Sequence, residues 1–375
     1  VIVNRKKRVP NRESTKRIVH LARRYTPMVG GVEKHLEEIN QEFLSRGYQV
    51  SVIAEQTEPS LTKNETCAGV EVYRLPINAE KASKSFINKL TFKIKIWLSL
   101  WQIRSVWMEA DKIQIHDVFF WMLPFLHFVR KKVYITFHGY EANKLPDRTQ
   151  RFWHQLASLF TEENLCIGGF HHKWFGVTPG LISFGAVDSD NENSITSTQK
   201  LKRLKTPRSE IKIIFIGRLQ ADTGILQFLQ ACKILQQNRL QFSLEIFGDG
   251  LLKNQIKEFV KTNELKIKVH GFVPQAHQLI PQFDFVFASQ YLVILESLAA
   301  AKPVIAYTDT QFKNDYLSNT PFASFITIAK NPQEIVKAVE ASHSKAKLES
   351  AQIWARQQTW SKLADNYESL WYETK

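Results

Sequence analysis

Cysteine is scarce in this chain. Three thiols in 375 residues, Cys67, Cys166 and Cys232, are far apart and odd in number. That excludes a disulfide framework and closely spaced cysteine metal ligands, and it fits a reducing cytosol. A long hydrophobic run is lacking too. The longest, Val118 to Leu126, contains Pro124 and falls far short of the ~20 residues that a spanning helix needs. No basic start leads into a signal-type apolar core, although the sequence opens on Val1 rather than Met, so where the protein itself starts is not read from it. Acidic residues are in deficit: 36 Asp and Glu face 50 Lys and Arg, a formal net charge of +14. The remaining composition, 44% hydrophobic and 23% charged, is that of a soluble globular chain, and the length suits two domains.

The positive charge is concentrated. Residues 1–16 form a basic tail within the stretch "NRKKRVPNRESTKRIVHLARR" (4–24). A second basic stretch is "KASKSFINKLTFKIKIWLSLWQIR" (81–104), where Lys81, Lys84, Lys89, Lys93, Lys95 and Arg104 alternate with Phe86, Ile87, Leu90, Phe92, Ile94, Trp97, Leu98 and Trp101. That mixture predicts an amphipathic helix suited to an anionic membrane surface. The plainer alternative is a helix packed on a sheet with a solvated basic face. A basic chain also invites nucleic acid, but zinc-finger spacing, aromatic strand motifs and a helix-turn-helix are missing, so no nucleic-acid partner is expected.

The order of elements points to an α/β fold. "RIVHLAR" (17–23) reads as a strand, "RYTPMVGG" (24–31) as a loop, "VEKHLEEINQEFLSRG" (32–47) as a helix and "YQVSVIAE" (48–55) as the next strand. Val32, Leu36, Ile39 and Phe43 share one helical face, and Gly47 suits the C-terminal stop. Further strands are expected at 70–75, 112–116 and 133–137. Residues 188–210 are polar and poor in aromatics, as in a linker. The pattern then restarts, with strands at 211–217, 242–248, 267–272, 284–288 and 303–307 and helices between. Two Rossmann-like, doubly wound parallel-sheet halves are expected, 17–187 and 211–358, with a ligand cleft between them beyond the strand ends.

Candidate ligand residues sit at those ends. Gly30 and Gly31 precede the first helix, where free N–H groups favour an anion; a plain tight turn is the alternative. The dinucleotide fingerprint G-x-G-x-x-G is absent there, against a nicotinamide enzyme. Arg218 directly follows a strand, Gly248 and Gly250 end another, and Glu296 lies on the helix after the strand at 284–288. Together they suit a phosphate and a ribose diol. His116 and Asp117 end a strand and either position an acceptor or satisfy loop backbone. Asp188 and Asp190 look like a metal-binding pair but lie in the linker. His171 and His172 lack a nearby third ligand, and Asp249 suits a turn.

The chain resembles the retaining glycosyltransferases of family 4, which have the GT-B fold. The resemblance spans about residues 17–373. It rests on "TPMVGGVEKHLEEINQEFLSRGYQVSVI", "HDVFFWMLPF", "TFHGYEANKLP" and "SFGAVD" in the first half. In the second half it rests on "IFIGRL", "FGDGLLKNQI", "VHGFV" and "LVILESLAAAKPVIA". "TWSKLADNYESLWYE" is similar to the family's final helix, so residues 359–375 are expected to cross back to the first domain.

The resemblance implies transfer of a sugar from a UDP- or GDP-sugar to a glycan or lipid-linked acceptor, with retention of configuration. It implies no cofactor and no metal. The first half becomes the acceptor-side domain, with His116 and Asp117, and the second the nucleotide-sugar domain. His138 and Arg218 become the catalytic residues; Gly30, Gly31, Thr223, Gly248, Gly250 and Glu296 join Arg218 as donor-binding residues. The expected setting is cytoplasmic, peripheral on the inner face of the membrane, in glycan biosynthesis for the cell envelope. Two departures support an alternative, a catalytically impaired GT-B pseudoenzyme that acts as a binding protein. Thr223 stands where the family has a lysine. The first glutamate of the Glu-x7-Glu element and its Gly-Phe-Gly loop are missing, so "SQY" runs straight into "LVILESLAA".

Overall fold

The computed structural model describes residues 16–79, 86–129, 133–139, 145–188 and 210–372. Nearly all of the basic tail and the polar linker, residues 81–85 of the second basic stretch, and Asp190 lie outside them.

The first sheet contains β1 (Arg17–Ala22), β2 (Gln49–Glu55), β3 (Asn64–Cys67), β4 (Val70–Leu75), β5 (Lys112–His116), β6 (Val133–Phe137), β7 (Asn164–Ile167) and β8 (Leu181–Ser183). Its order is β3-β4-β2-β1-β5-β6-β7-β8. The accompanying helices are α1 (Gly31–Ser45), α2 (Phe86–Gln102), α3 (Arg104–Met108), α4 (Phe119–Met122), α5 (Arg148–Phe160) and α6 (Phe170–Phe175). β1 pairs in parallel with β2 and β5, and Ile18 to Ala22 are all buried, as a strand covered on both faces requires. Leu36, Ile39 and Phe43 bury the inner face of α1, and Gly47 ends the segment at φ +83°. One strand departs from the expected parallel set: β3 runs antiparallel to β4. Ala68 and Gly69 join them, both at positive φ, the backbone of a two-residue hairpin turn.

The second sheet contains β9 (Ile211–Ile216), β10 (Phe242–Phe247), β11 (Ile267–Gly271), β12 (Phe285–Phe287), β13 (Val304–Tyr307) and β14 (Thr327–Ala329), in the order β11-β10-β9-β12-β13-β14. The helices are α7 (Ile225–Gln237), α8 (Lys253–Thr262), α9 (Tyr291–Ala299), α10 (Gln311–Ser318), α11 (Pro332–Glu340), α12 (Lys345–Arg356) and α13 (Trp360–Tyr372). Its core is mostly aliphatic but holds a stacked aromatic pair, Phe228 of α7 on Phe287 of β12 at 4.4 Å. The strand order reverses between β9 and β12, and beyond the carboxyl ends of such strands an open α/β sheet binds its ligand.

By compactness the chain divides between Ile135 and Thr136, inside β6. Within the second unit, α13 lies against β7 and β8, and the Tyr367 hydroxyl is 2.8 Å from that of Thr136. α6 also packs on α10. These contacts group the last strands of the first sheet with the second. Among the described residues, no helix is long and apolar enough to cross a membrane.

Candidate functional site

Arg218 follows β9 by two residues and is held from both sides. Its Nη2 donates to Asp222 Oδ2 at 2.8 Å and its Nη1 to Gln220 Oε1 at 3.3 Å. The loop after β10 lies directly on this turn. Gly217 N–H donates to Phe247 O, and Leu219 N–H to Asp249 O. A Cβ at Gly248 would stand 1.8 Å from Gly217 O, and one at Gly250 2.6 Å from Leu219 O. Both glycines have positive φ, so each is required twice over, by conformation and by space. They shape the turn that carries Arg218. Asp249 is a turn residue: its carboxylate accepts from Gly250 N–H and from Lys253 Nζ, which holds its pKa low.

Thr223 is buried, and its hydroxyl donates to Gln220 O at 2.7 Å. The charge on this turn comes from elsewhere. Lys313, on α10, donates from Nζ to the carbonyl of Asp222. The same helix places Tyr316 one turn on. A Cβ at Gly139, beside His138 at the end of β6, would stand 3.6 Å from the Tyr316 ring. Asp315 accepts from Lys173 Nζ at 2.5 Å and from Trp174 Nε1 at 3.0 Å on α6, and from Gln311 Nε2 at 3.0 Å. These donors hold its carboxyl below the usual range against the burial that raises it. Phe170 and Trp174 of α6 meet Phe312 edge-on, each at 5.3 Å. Sequence reasoning missed α10 altogether. Thr310, whose hydroxyl accepts from Lys313 N–H as a cap, was the signal that marks its start.

The short turn after β12 is Ala288 to Gln290, since α9 begins at Tyr291. Ser289 fixes it by hydrogen bonds with the backbone of Tyr307. Tyr291 and Leu292 fill the space at its end. The Tyr291 ring stacks on Tyr316 at 4.0 Å and 7°, and its hydroxyl donates to Tyr316 O at 2.6 Å. That hydroxyl lies 2.8 Å from where a Cβ of Gly168 would be, and Leu292 lies 2.9 Å from one at Gly185. Burial pushes the pKa of both phenols up, so both rings are neutral. Glu296 is the sixth residue of α9, with its carboxylate largely buried. His277 stands between two acids, 4.0 Å from Glu296 and 3.7 Å from Asp188. Asp188 in turn accepts from Trp360 Nε1 at 3.1 Å.

In the first unit, Gly30 is the extended residue before α1, and Glu33 folds its carboxylate over it in the first turn of that helix. An acid there complements the helix dipole, so an incoming phosphate would compete with Glu33. His116 and Asp117 diverge. His116 is buried with its Nε2 2.9 Å from His20 Nδ1, whereas Asp117 is exposed at φ +58°. His35 meets the His116 ring edge-on at 6.0 Å. In the second unit, His138 is buried at the end of β6. His171 is buried in α6 among Phe170, Phe175 and His154, and its neighbour His172 is exposed.

Residues 29–163 match the family model described as Glycosyltransferase Family 4, and residues 197–358 match Glycosyl transferases group 1. A search of curated proteins finds no match. Among solved structures, sucrose-phosphate synthase from Thermosynechococcus elongatus is similar at 13% identity and TM-score 0.71, over 96% of this chain and 98% of that one. A glycosyltransferase from Rickettsia africae is similar at 15% identity and TM-score 0.66, over 95% and 98%. Anabaena HepE, solved in complex with UDP, is similar at 15% identity and TM-score 0.64, over 96% and 100%. Likeness at such identity shows the fold, which is GT-B. Each half of the chain thus matches a glycosyltransferase family model, and the fold they share with the solved structures is GT-B.

Proposed function

We propose that this protein transfers a hexosyl unit from a UDP- or GDP-sugar to a glycan or lipid-linked acceptor, with retention of configuration and without a metal. The observation that carries the reading is Arg218, held at the end of β9 by Asp222 and Gln220 on a turn that Gly248 and Gly250 shape. HepE, of the same fold, has been solved with UDP and with UDP-glucose, which supports a nucleotide-sugar donor.

In such a transfer the departing diphosphate gains charge, and a cation fixed beforehand lowers the barrier without reorganising. Arg218 takes that role by exchanging Asp222 for phosphate oxygens. His138 serves the donor sugar, Glu296 the ribose hydroxyls, and Gly30 and Gly31 the diphosphate; His116 and Asp117 belong to the acceptor side. The exposed apolar stripe of α2, flanked by Lys93 and Lys95, supports a peripheral position on an anionic membrane. A second reading, a GT-B binding protein without turnover, is favoured by Tyr291 and Leu292, which fill the end of the shortened turn.

Titration calorimetry with UDP and GDP tests the donor site. The wild type should bind at least one of them, and Arg218→Ala should weaken it by roughly tenfold or more, the loss of one charge-assisted contact. Equal affinity in both proteins would contradict the assignment.

A further inference from the structure

We infer that Lys313 is a second phosphate ligand, binding the donor diphosphate together with Arg218. This rests on the nucleotide-sugar reading above and adds a residue that sequence reasoning did not single out.

Lys313 occupies a position that is unfavourable for a cation. It is the third residue of α10, in the first helical turn, where the dipole favours negative charge. Its amine is largely buried, and that burial lowers its pKa against the pull of Asp309 and Asp222. Its Nζ stands over the Tyr307 ring, 5.9 Å from the centroid. The Tyr307 ring itself fits closely against Gly224, where a Cβ would stand 2.9 Å away. The ammonium of a residue that follows β13 thus reaches the Ala221–Thr223 turn that follows β9, where it donates to the Asp222 carbonyl. A surface position would satisfy a lysine at far lower cost.

The same turn holds Arg218. Asp222 is common to both cations: its carboxylate pairs with Arg218, its carbonyl accepts from Lys313, and its charge acts on the Lys313 amine. Thr223 spends its hydroxyl on Gln220 and brings no charge. Two cations from different elements thus share one aspartate at a strand end. With Asp309 also acting on Lys313, the two cations already face two acids, and they exchange those acids for a diphosphate. Its oxygens replace Asp222 on Arg218 and give the Lys313 ammonium the partner that its place in the helix demands. The competing explanation is mechanical, with Lys313 acting only as a staple between α10 and the Ala221–Thr223 turn.

Calorimetry separates the two. UDP and uridine, or GDP and guanosine if the guanine nucleotide binds better, are titrated into the wild type, Lys313→Met, Lys313→Arg and Arg218→Ala. Lys313→Met should weaken the diphosphate by roughly ten- to a hundredfold and leave the nucleoside unchanged. Lys313→Arg should retain most of the affinity. Wild-type affinity for the diphosphate should also fall as pH rises below the ordinary lysine pKa of 10.5, and that fall should be absent in Lys313→Arg. Nucleotide affinity untouched by Lys313→Met would overturn the inference. So would parallel loss of nucleoside and diphosphate with a lower melting temperature, the sign of a staple. If Arg218→Ala weakens UDP while Lys313→Met does not, the donor reading stands and the inference alone falls. If neither nucleotide binds the wild type, both fall.

Discussion

His20, His35 and His171 are buried as neutral rings, and this sets the response of the fold to acid. Burial pushes the pKa of His20 down to about 3, helped by the charge of His35, and that of His35 to about 4. His171 falls to about 3 through burial and then His154. In the unfolded chain each ring takes its proton near 6.5, so between about 6.5 and 4 the unfolded state binds more protons than the folded one. Stability is therefore lost as pH falls through that window, by up to about 1.4 kcal/mol per pH unit for each ring. Thermal melts between pH 7.5 and 4.5 should show a steep decline, and His171→Phe, which keeps an aromatic ring among Phe170 and Phe175, should make it shallower. Identical slopes would show that His171 titrates normally. None of these burials is legible in the sequence, where a histidine in a strand (His20) or a helix (His35, His171) has no stated depth. Lys313 escaped for a related reason: its value comes from a turn some ninety residues earlier. Arg218, Gly248 and Gly250 were legible because their place at strand ends is a local pattern.

At the scale of elements, α2 was read as amphipathic and basic, with a packed helix as the alternative. The structure shows both, on different sides. Ile96, Ser99 and Leu100 are buried, while Leu90, Ile94, Leu98 and Trp101 are exposed at a spacing that places them on one face. Phe128, also exposed, stands beside Trp101, with ring centroids 6.4 Å apart. Lys93 and Lys95 flank the stripe. Liposome co-sedimentation should rise with anionic lipid content and fall with salt, and Leu98→Glu should weaken it. Binding indifferent to charge, salt and Leu98 would remove the membrane from the account. The turn after β12 shows what sequence reading leaves out. Its length was plain from "SQY", but not its filling. Tyr291 begins α9 with its ring stacked on Tyr316, so residues added between Tyr291 and Leu292 would part that ring from the helix it anchors. Asp284, at the opposite end of β12, accepts from Lys212 N–H at the start of β9 and so lies at the wrong end of the sheet to serve the donor.

At the scale of the whole molecule, two α/β sheets were readable because buried parallel strands are near-continuous apolar runs. β3, β7, β8 and β14 were not: each has three or four residues and lacks the unbroken four-residue apolar run that marked the equally short β12 and β13. Grouping by compactness was also hidden. The contacts of α6 with α10 and of α13 with β7 and β8 join segments more than a hundred residues apart. The central claim is that these sheets serve sugar transfer. Its most direct test is nucleotide release from a panel of UDP- and GDP-sugars, with and without lipid-linked acceptors. The account predicts release from one donor class, increased by acceptor and abolished in Arg218→Ala. Tight nucleotide binding with no release from any donor would contradict it and leave a GT-B binding protein.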